Sequence, residues 1–125
     1  MSGTKIILDT NVLLLYLQGN IEIKFDISEI GISVITKIEY LVNPALGAND
    51  LYLFEELEDQ INIFFLSKKE EPILKETIKI RKKYKLKLPD AIIAATAIVG
   101  NYILITNDTD FNNIQGLRVL NPSTL

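Results

Sequence analysis

Short apolar runs alternate with helical segments along this chain, and that alternation leaves few folds open to it. Lys5–Leu8, Ile32–Ile35, Ile61–Leu66, Tyr102–Ile105 and Arg118–Leu120 read as strands, dominated by branched aliphatic residues. Between them, Asn11–Leu17, Lys37–Leu46, Asp50–Asp59, Glu70–Tyr84 and Ala91–Val99 read as helices. In Asp50–Asp59 the residues expected to face inward are Leu51, Phe54 and Leu57, with Leu53 as a further candidate. In Glu70–Tyr84, Ile73, Thr77, Ile80 and Tyr84 fall at helical spacing, with Lys75, Lys79 and Lys82 opposite. Pro89 suits a first helical turn. Apolar strands separated by helices predict an α/β fold, with a mostly parallel sheet covered by helices on both faces. At 125 residues and 48% hydrophobic content, one domain spanning residues 1–125 with a proper core is expected.

The same alternation fixes where the acids fall. Asp9 ends the first strand, Glu39 follows the second, Asp90 opens the apolar helix, and Asp108 and Asp110 follow Tyr102–Ile105. In an open parallel sheet, sites form outside the carboxyl ends of the strands, so these acids are placed to converge. Two carboxylates about 4 Å apart repel by roughly 4 kcal/mol at an effective dielectric of 20. A cluster of that kind calls for a cation, and an oxygen-only donor set suits Mg²⁺ or Mn²⁺. Each acid also has a local reading. Asp9 is placed to cap the helix that follows it. Thr36-Lys37-Ile38-Glu39 matches a capping box, as does Ser67-Lys68-Lys69-Glu70. Asp90 gains from the dipole of its helix, and Asp108 and Asp110 suit a turn.

Composition removes most other chemistry. There is no His and no Cys, which excludes Ser-His-Asp and Cys-His catalysis, His-bearing zinc sites and disulfides. The six glycines are scattered singly, so no phosphate-binding glycine loop exists. No apolar run is long enough for a membrane span and no signal peptide is evident, so a cytoplasmic location is expected. The net charge is −3, yet Lys68–Lys87 holds nine basic residues against three acidic ones. Within that segment Lys79, Arg81, Lys82, Lys83 and Lys85 form either a solvated helix face or a strip that contacts substrate phosphates.

Four segments together carry a family resemblance: Ile7-Leu8-Asp9-Thr10-Asn11-Val12-Leu13, Ser33-Val34-Ile35-Thr36-Lys37-Ile38-Glu39, Leu88-Pro89-Asp90-Ala91-Ile92-Ile93-Ala94 and Ile105-Thr106-Asn107-Asp108-Thr109-Asp110-Phe111. In this order and in a chain of this size, the sequence resembles a PIN-domain ribonuclease, in particular the small VapC-type toxins of toxin–antitoxin pairs. The resemblance implies a parallel sheet flanked by helices and an endoribonuclease that uses Mg²⁺ or Mn²⁺ to activate water. It carries Asp9, Glu39, Asp90 and Asp108 over as catalytic acids, with Asp9, Asp90, Asp108 and Asp110 as metal ligands. Asp108 is favoured over Asp110 as the fourth acid. Asn11 and Thr106 match polar positions beside the site. The implied partners are an RNA substrate, a cognate antitoxin and a second copy of the chain. The first helix, Asn11–Leu17, is expected to be core, but Leu13, Leu14, Tyr16 and Leu17 exceed one buried face, so part of it is the expected dimer surface.

Two other classes fit the strand-end acids less well. A phosphoacceptor receiver-like signalling domain needs paired acids after its first strand and a Lys after its last, and Arg118 fills that place poorly. A haloacid-dehalogenase phosphatase needs a second Asp where this chain has Asn11. A non-catalytic PIN-like interaction module differs from the enzymes in that Mn²⁺ would not stabilise it.

Overall fold

The computed structural model describes residues 3–24 and 26–124. Its strands are β1 (Thr4–Leu8), β2 (Ile27–Ser33), β3 (Asn62–Phe64), β4 (Ile103–Ile105) and β5 (Arg118–Leu120). Its α-helices are α1 (Thr10–Leu17), α2 (Val34–Leu41), α3 (Ala48–Glu58), α4 (Glu71–Lys83) and α5 (Leu88–Gly100). The strands form one five-stranded sheet in the order β3-β2-β1-β4-β5, with every pairing parallel. The expected α/β architecture is therefore the one observed.

Alternation along the strands divides the core into two layers. Ile7 and Leu104 join Ile73, Ile80, Ile93, Ala94 and Phe111 on the face covered by α4 and α5. Ile6, Leu8, Ile32 and Ile105 join Val12, Leu13, Tyr40, Phe54 and Leu57 on the other. Burial on both faces is why the central strands read as continuous apolar runs instead of alternating ones.

The second strand and its helix depart from the sequence reading. A strand over Ile32–Ile35 followed by a helix over Lys37–Leu46 was the expectation. Instead β2 starts at Ile27 and α2 at Val34, because the Ser33 hydroxyl accepts the Ile35 N–H at 3.1 Å and begins the helix there. The first half of β2 contains Ser28 and Glu29. It pairs with β1 alone, since β3 joins only from Gly31 onward, so polar residues are tolerated on its open edge. Glu29 accepts a hydrogen bond from the Tyr102 hydroxyl, and burial together with that acceptor pushes the phenol up to about 12. Neither expected capping box forms. Glu39 lies beyond the first turn of α2, and Ser67 makes no side-chain cap to the 3-10 turn Lys68–Glu70. Leu51 is 41% exposed, so the inward face of α3 is Phe54 and Leu57 only.

Gly31 marks a close approach. A Cβ there would meet the Phe64 ring at 2.6 Å. That ring in turn packs edge-on against Tyr102, with centroids 5.2 Å apart.

Candidate metal centre

The chain runs from β1 outward to β2 and β3, then returns to place β4 on the other side of β1. The carboxyl ends of β1 and β4 therefore flank the point where strand order reverses, the place at which open α/β sheets bind ligands. Asp9 leaves β1 and Asp108 follows β4 at that point.

Asp9 is 6% exposed and both of its oxygens are engaged. Oδ1 accepts the Val12 N–H at 2.9 Å and caps α1, while Oδ2 accepts the Thr106 hydroxyl. Thr106 Oγ1 accepts the Asp108 N–H at 3.0 Å, and Asp108 Oδ1 accepts the Asp110 N–H at 2.9 Å. A hydrogen-bonded line thus runs from the buried acid of β1 to the exposed acids after β4. Burial pushes the Asp9 carboxyl up, opposed by its two hydrogen bonds and reinforced by the negative charge of Asp108 and Glu39.

Asp90 enters from the first turn of α5, directly after Pro89. Its carboxyl is also pushed up, first by burial and then by Asp108 and Glu39, with Lys87 acting in the opposite direction. Carboxylate oxygens of Asp90, Asp108 and Asp110 lie within 4.8 Å of one another, a donor set able to hold one cation. Both candidates for the fourth acid fall inside this trio. Glu39, exposed on α2, accepts the Thr10 hydroxyl at 2.7 Å. Asp9, Glu39, Asp90 and Asp108 line one open cavity of about 410 Å³, together with Asn107 and Phe111. The four acids expected at the strand ends are thus brought together, with Asp110 against two of them.

Both accessory residues lie at the site. Thr106 is buried and bonded to Asp9, while Asn11 is exposed, lines the acidic cavity and reaches Asn107 at 3.4 Å. Of the basic strip, Lys82 and Lys85 are exposed and Arg81 donates to the Leu86 carbonyl at 2.7 Å, bracing the α4–α5 turn. Lys79 and Lys83 line a separate hollow of about 220 Å³ with Tyr84 and Gln115. Sequence reading missed three participants: Thr10, which holds Glu39; Lys87, the cation felt by Asp90; and Asn107, a wall of the acidic cavity. Adjacency to Asp9 and Asp108 was the available signal for Thr10 and Asn107.

The core covers α1 only in part, and Leu14, Leu15, Tyr16 and Leu17 each keep some of their surface exposed. Leu13 is fully buried, and Leu14, Tyr16 and Leu17 pack half-buried against the core. The exposed apolar residues lie on α2 and α3, chiefly Ile38, Leu41, Val42, Leu51 and Tyr52. No helix among the described residues is long and apolar enough to cross a membrane.

A PIN domain family model matches residues 6–117. No curated protein sequence gives a significant match. Among solved structures, the chain is similar to one in a toxin–antitoxin complex from Klebsiella pneumoniae, with 31% identity, 94% of this chain and 97% of that chain covered, and a TM-score of 0.68. It is similar in fold to a chain of DNA-bound VapBC from Salmonella typhimurium, with 20% identity, coverage of 94% and 98%, and a TM-score of 0.73. VapBC-1 from nontypeable Haemophilus influenzae gives 23% identity, coverage of 94% and 98%, and a TM-score of 0.71.

Proposed function

Because the chain belongs to the PIN domain family, we propose that it is a Mg²⁺- or Mn²⁺-dependent endoribonuclease, the toxin of a toxin–antitoxin pair. The observation that carries this reading is the trio Asp90, Asp108 and Asp110, within 4.8 Å at the switch point of the sheet. The donors are all carboxylate oxygens, which fit a small hard cation and suit neither a soft metal nor an imidazole-bound one. When bound, the ion supplies charge neutralisation for the scissile phosphate and acidifies water.

The chain's own residues do the rest. Asp90, Asp108 and Asp110 hold the cation. Asp9, fixed by Thr106 and by the start of α1, supplies a negative charge from behind that cannot swing away. Glu39 stands outside the trio on the cavity wall, oriented by Thr10, and takes the proton from the attacking water. Exposed Lys82, Lys85 and Lys87 beside the α5 N-terminus contact backbone phosphates and set affinity. Single-stranded or loop RNA is the substrate class that can enter such an open cleft.

The antitoxin assignment is supported by the toxin–antitoxin neighbour at 31% identity and by the exposed apolar residues of α2 and α3, which suit a protein partner. An antitoxin Arg pairing bidentately with the carboxylates would block the cavity. A homodimer, implied by the resemblance, would be reported by light scattering at twice 14.1 kDa.

Incubating the pure protein with total RNA and Mn²⁺, then mapping the cut ends, tests the reading. Defined cuts that disappear with EDTA and in Asp90→Asn are expected. Intact RNA at saturating Mn²⁺ would overturn it.

A further inference from the structure

A hollow larger than the acidic cavity lies beside it. A cleft of about 510 Å³ opens between the end of α1 and the segment after β5, bounded by Asn20, Ile21, Glu22, Lys24, Asn107 and Asn121. That volume lies within the roughly 300–1,000 Å³ typical of small-ligand sites. Asn107 lines both this cleft and the acidic cavity, so the two adjoin at that residue. A smaller hollow of about 190 Å³ is lined by Asn107, Asp108 and Asn121.

Its chemistry differs from that of the acidic cavity. One Glu and one Lys cancel, so nothing selects a phosphate; Ile21 with Leu15 and Pro122 gives apolar walls. The polar contribution is carboxamide. Parallel pairing of Ile105 with Leu120, and the Thr106 N–H to Leu120 carbonyl bond of 3.1 Å, carry Asn107 and Asn121 out at the same end of β4 and β5, where both line this cleft. Asn121 Oδ1 accepts the Ser123 N–H at 2.9 Å, which settles its orientation and leaves its amide N–H₂ without a protein partner among the described residues. The Asn107 oxygen faces the Asn11 amide at 3.4 Å, which leaves the Asn107 N–H₂ likewise unpartnered among those residues. Two amide donors therefore stand at the edge of a cleft with no net charge and a partly apolar wall, next to the acids.

We propose that this cleft, between Asn107 and Asn121, is a specificity pocket for the nucleobase flanking the scissile phosphate, and that it selects guanine or uracil. The inference rests on the ribonuclease reading above. Guanine O6 and uracil O4 are acceptors where adenine and cytosine carry an amino donor, so two amide donors favour the keto bases.

The test uses the full chain, Mn²⁺ and an RNA library randomised around one cut position. Wild type should cut beside G or U in preference to A or C by on the order of tenfold, the scale of a discriminating polar contact. Asn121→Asp keeps the oxygen that accepts from Ser123 and turns the donor into an acceptor, so cleavage should shift towards A and C. Defined cutting by wild type with no G or U preference, or with a preference that the Asn121→Asp change leaves unaltered, would overturn the pocket assignment alone. If wild type cuts nothing, the nuclease reading fails and a second measurement still decides the pocket. In metal-free protein, the side-chain amide NMR signals of Asn107 and Asn121 should shift with guanosine or uridine monophosphate and not with the adenosine or cytidine compounds. Equal shifts with all four, or none, would overturn it.

Discussion

Replacing Asp90 by Asn should stabilise the metal-free protein and abolish its stabilisation by metal. At 4.8 Å, the upper separation within the trio, each carboxylate pair repels by roughly 3.5 kcal/mol at an effective dielectric of 20 and by about 0.9 kcal/mol in bulk water. Asp108 and Asp110 are exposed, so the lower figure governs, and Asp90 meets both of them. Removing its charge relieves about 2 kcal/mol on that scale and forfeits about 0.3–1 kcal/mol of helix-dipole stabilisation at the start of α5. The net is a gain of about 1–1.5 kcal/mol, or roughly 3–6 °C in Tm for a chain of this length. Mn²⁺ at a hundred times its Kd should raise wild type by about 2.7 kcal/mol and leave the variant almost unmoved, so the order of stability reverses. Thermal unfolding of both proteins at pH 7.5, with EDTA and with Mn²⁺, reads this directly. An Asn variant less stable than wild type in EDTA would mean that the acid serves the helix start. Equal stabilisation of both proteins by Mn²⁺ would remove Asp90 from the ligand set.

Stability of the metal-free protein should depend on pH with an unusual sign. Asp9 and Asp90 are both raised above 3.8 in the folded state, so their contribution is fully present below 3.8 and is lost as pH rises through the folded values. Tm in EDTA should therefore climb on mild acidification, a rise that Asp9→Asn combined with Asp90→Asn flattens; an unchanged slope in the double variant would refute it. Asp9→Asn should lose RNA cleavage while remaining folded by circular dichroism, because the amide oxygen can still cap α1 at Val12. Asp9→Ala should in addition lose about 2–4 kcal/mol in urea unfolding, stranding the Val12 N–H and the Thr106 hydroxyl. Neutralising Lys82 and Lys85 together should raise KM, reduce the salt slope by about 1.4 and spare kcat. Arg81→Ala should instead cost about 1 kcal/mol of stability through the lost Leu86 bond.

What was legible in the sequence and what was not have different physical origins. Asp9, Asp90 and Asp108 each end or begin an apolar stretch, so their placement at one edge of the sheet follows from periodicity alone. The fold followed too, because strands buried on both faces cannot hide their composition. The boundary at Ser33 was not legible: branched Val34 and Ile35 suit a strand, and only the Ser33 hydroxyl commits them to α2. Glu29 concealed the first half of β2, since its tolerance there depends on β3 starting late. The apolar residues of α1 are shared between the core layer and a partly exposed flank, and the more exposed apolar residues of α2 and α3 depend on how those helices dock, which periodicity does not give. That Asn107 and Asn121 line one cleft was invisible because it depends on β5 pairing with β4.

The strand order also sets a schedule. Asp9 is made 97 residues before Thr106, whose hydroxyl holds its outer oxygen. At about 5–20 residues per second, the interval during synthesis is roughly 5–20 s. Until β4 slots in beside β1, Asp9 and Glu39 stand without the trio, since Asp108 and Asp110 follow β4. The acidic centre therefore assembles only after β4 has been made, and a fragment cut anywhere before β4 never acquires it.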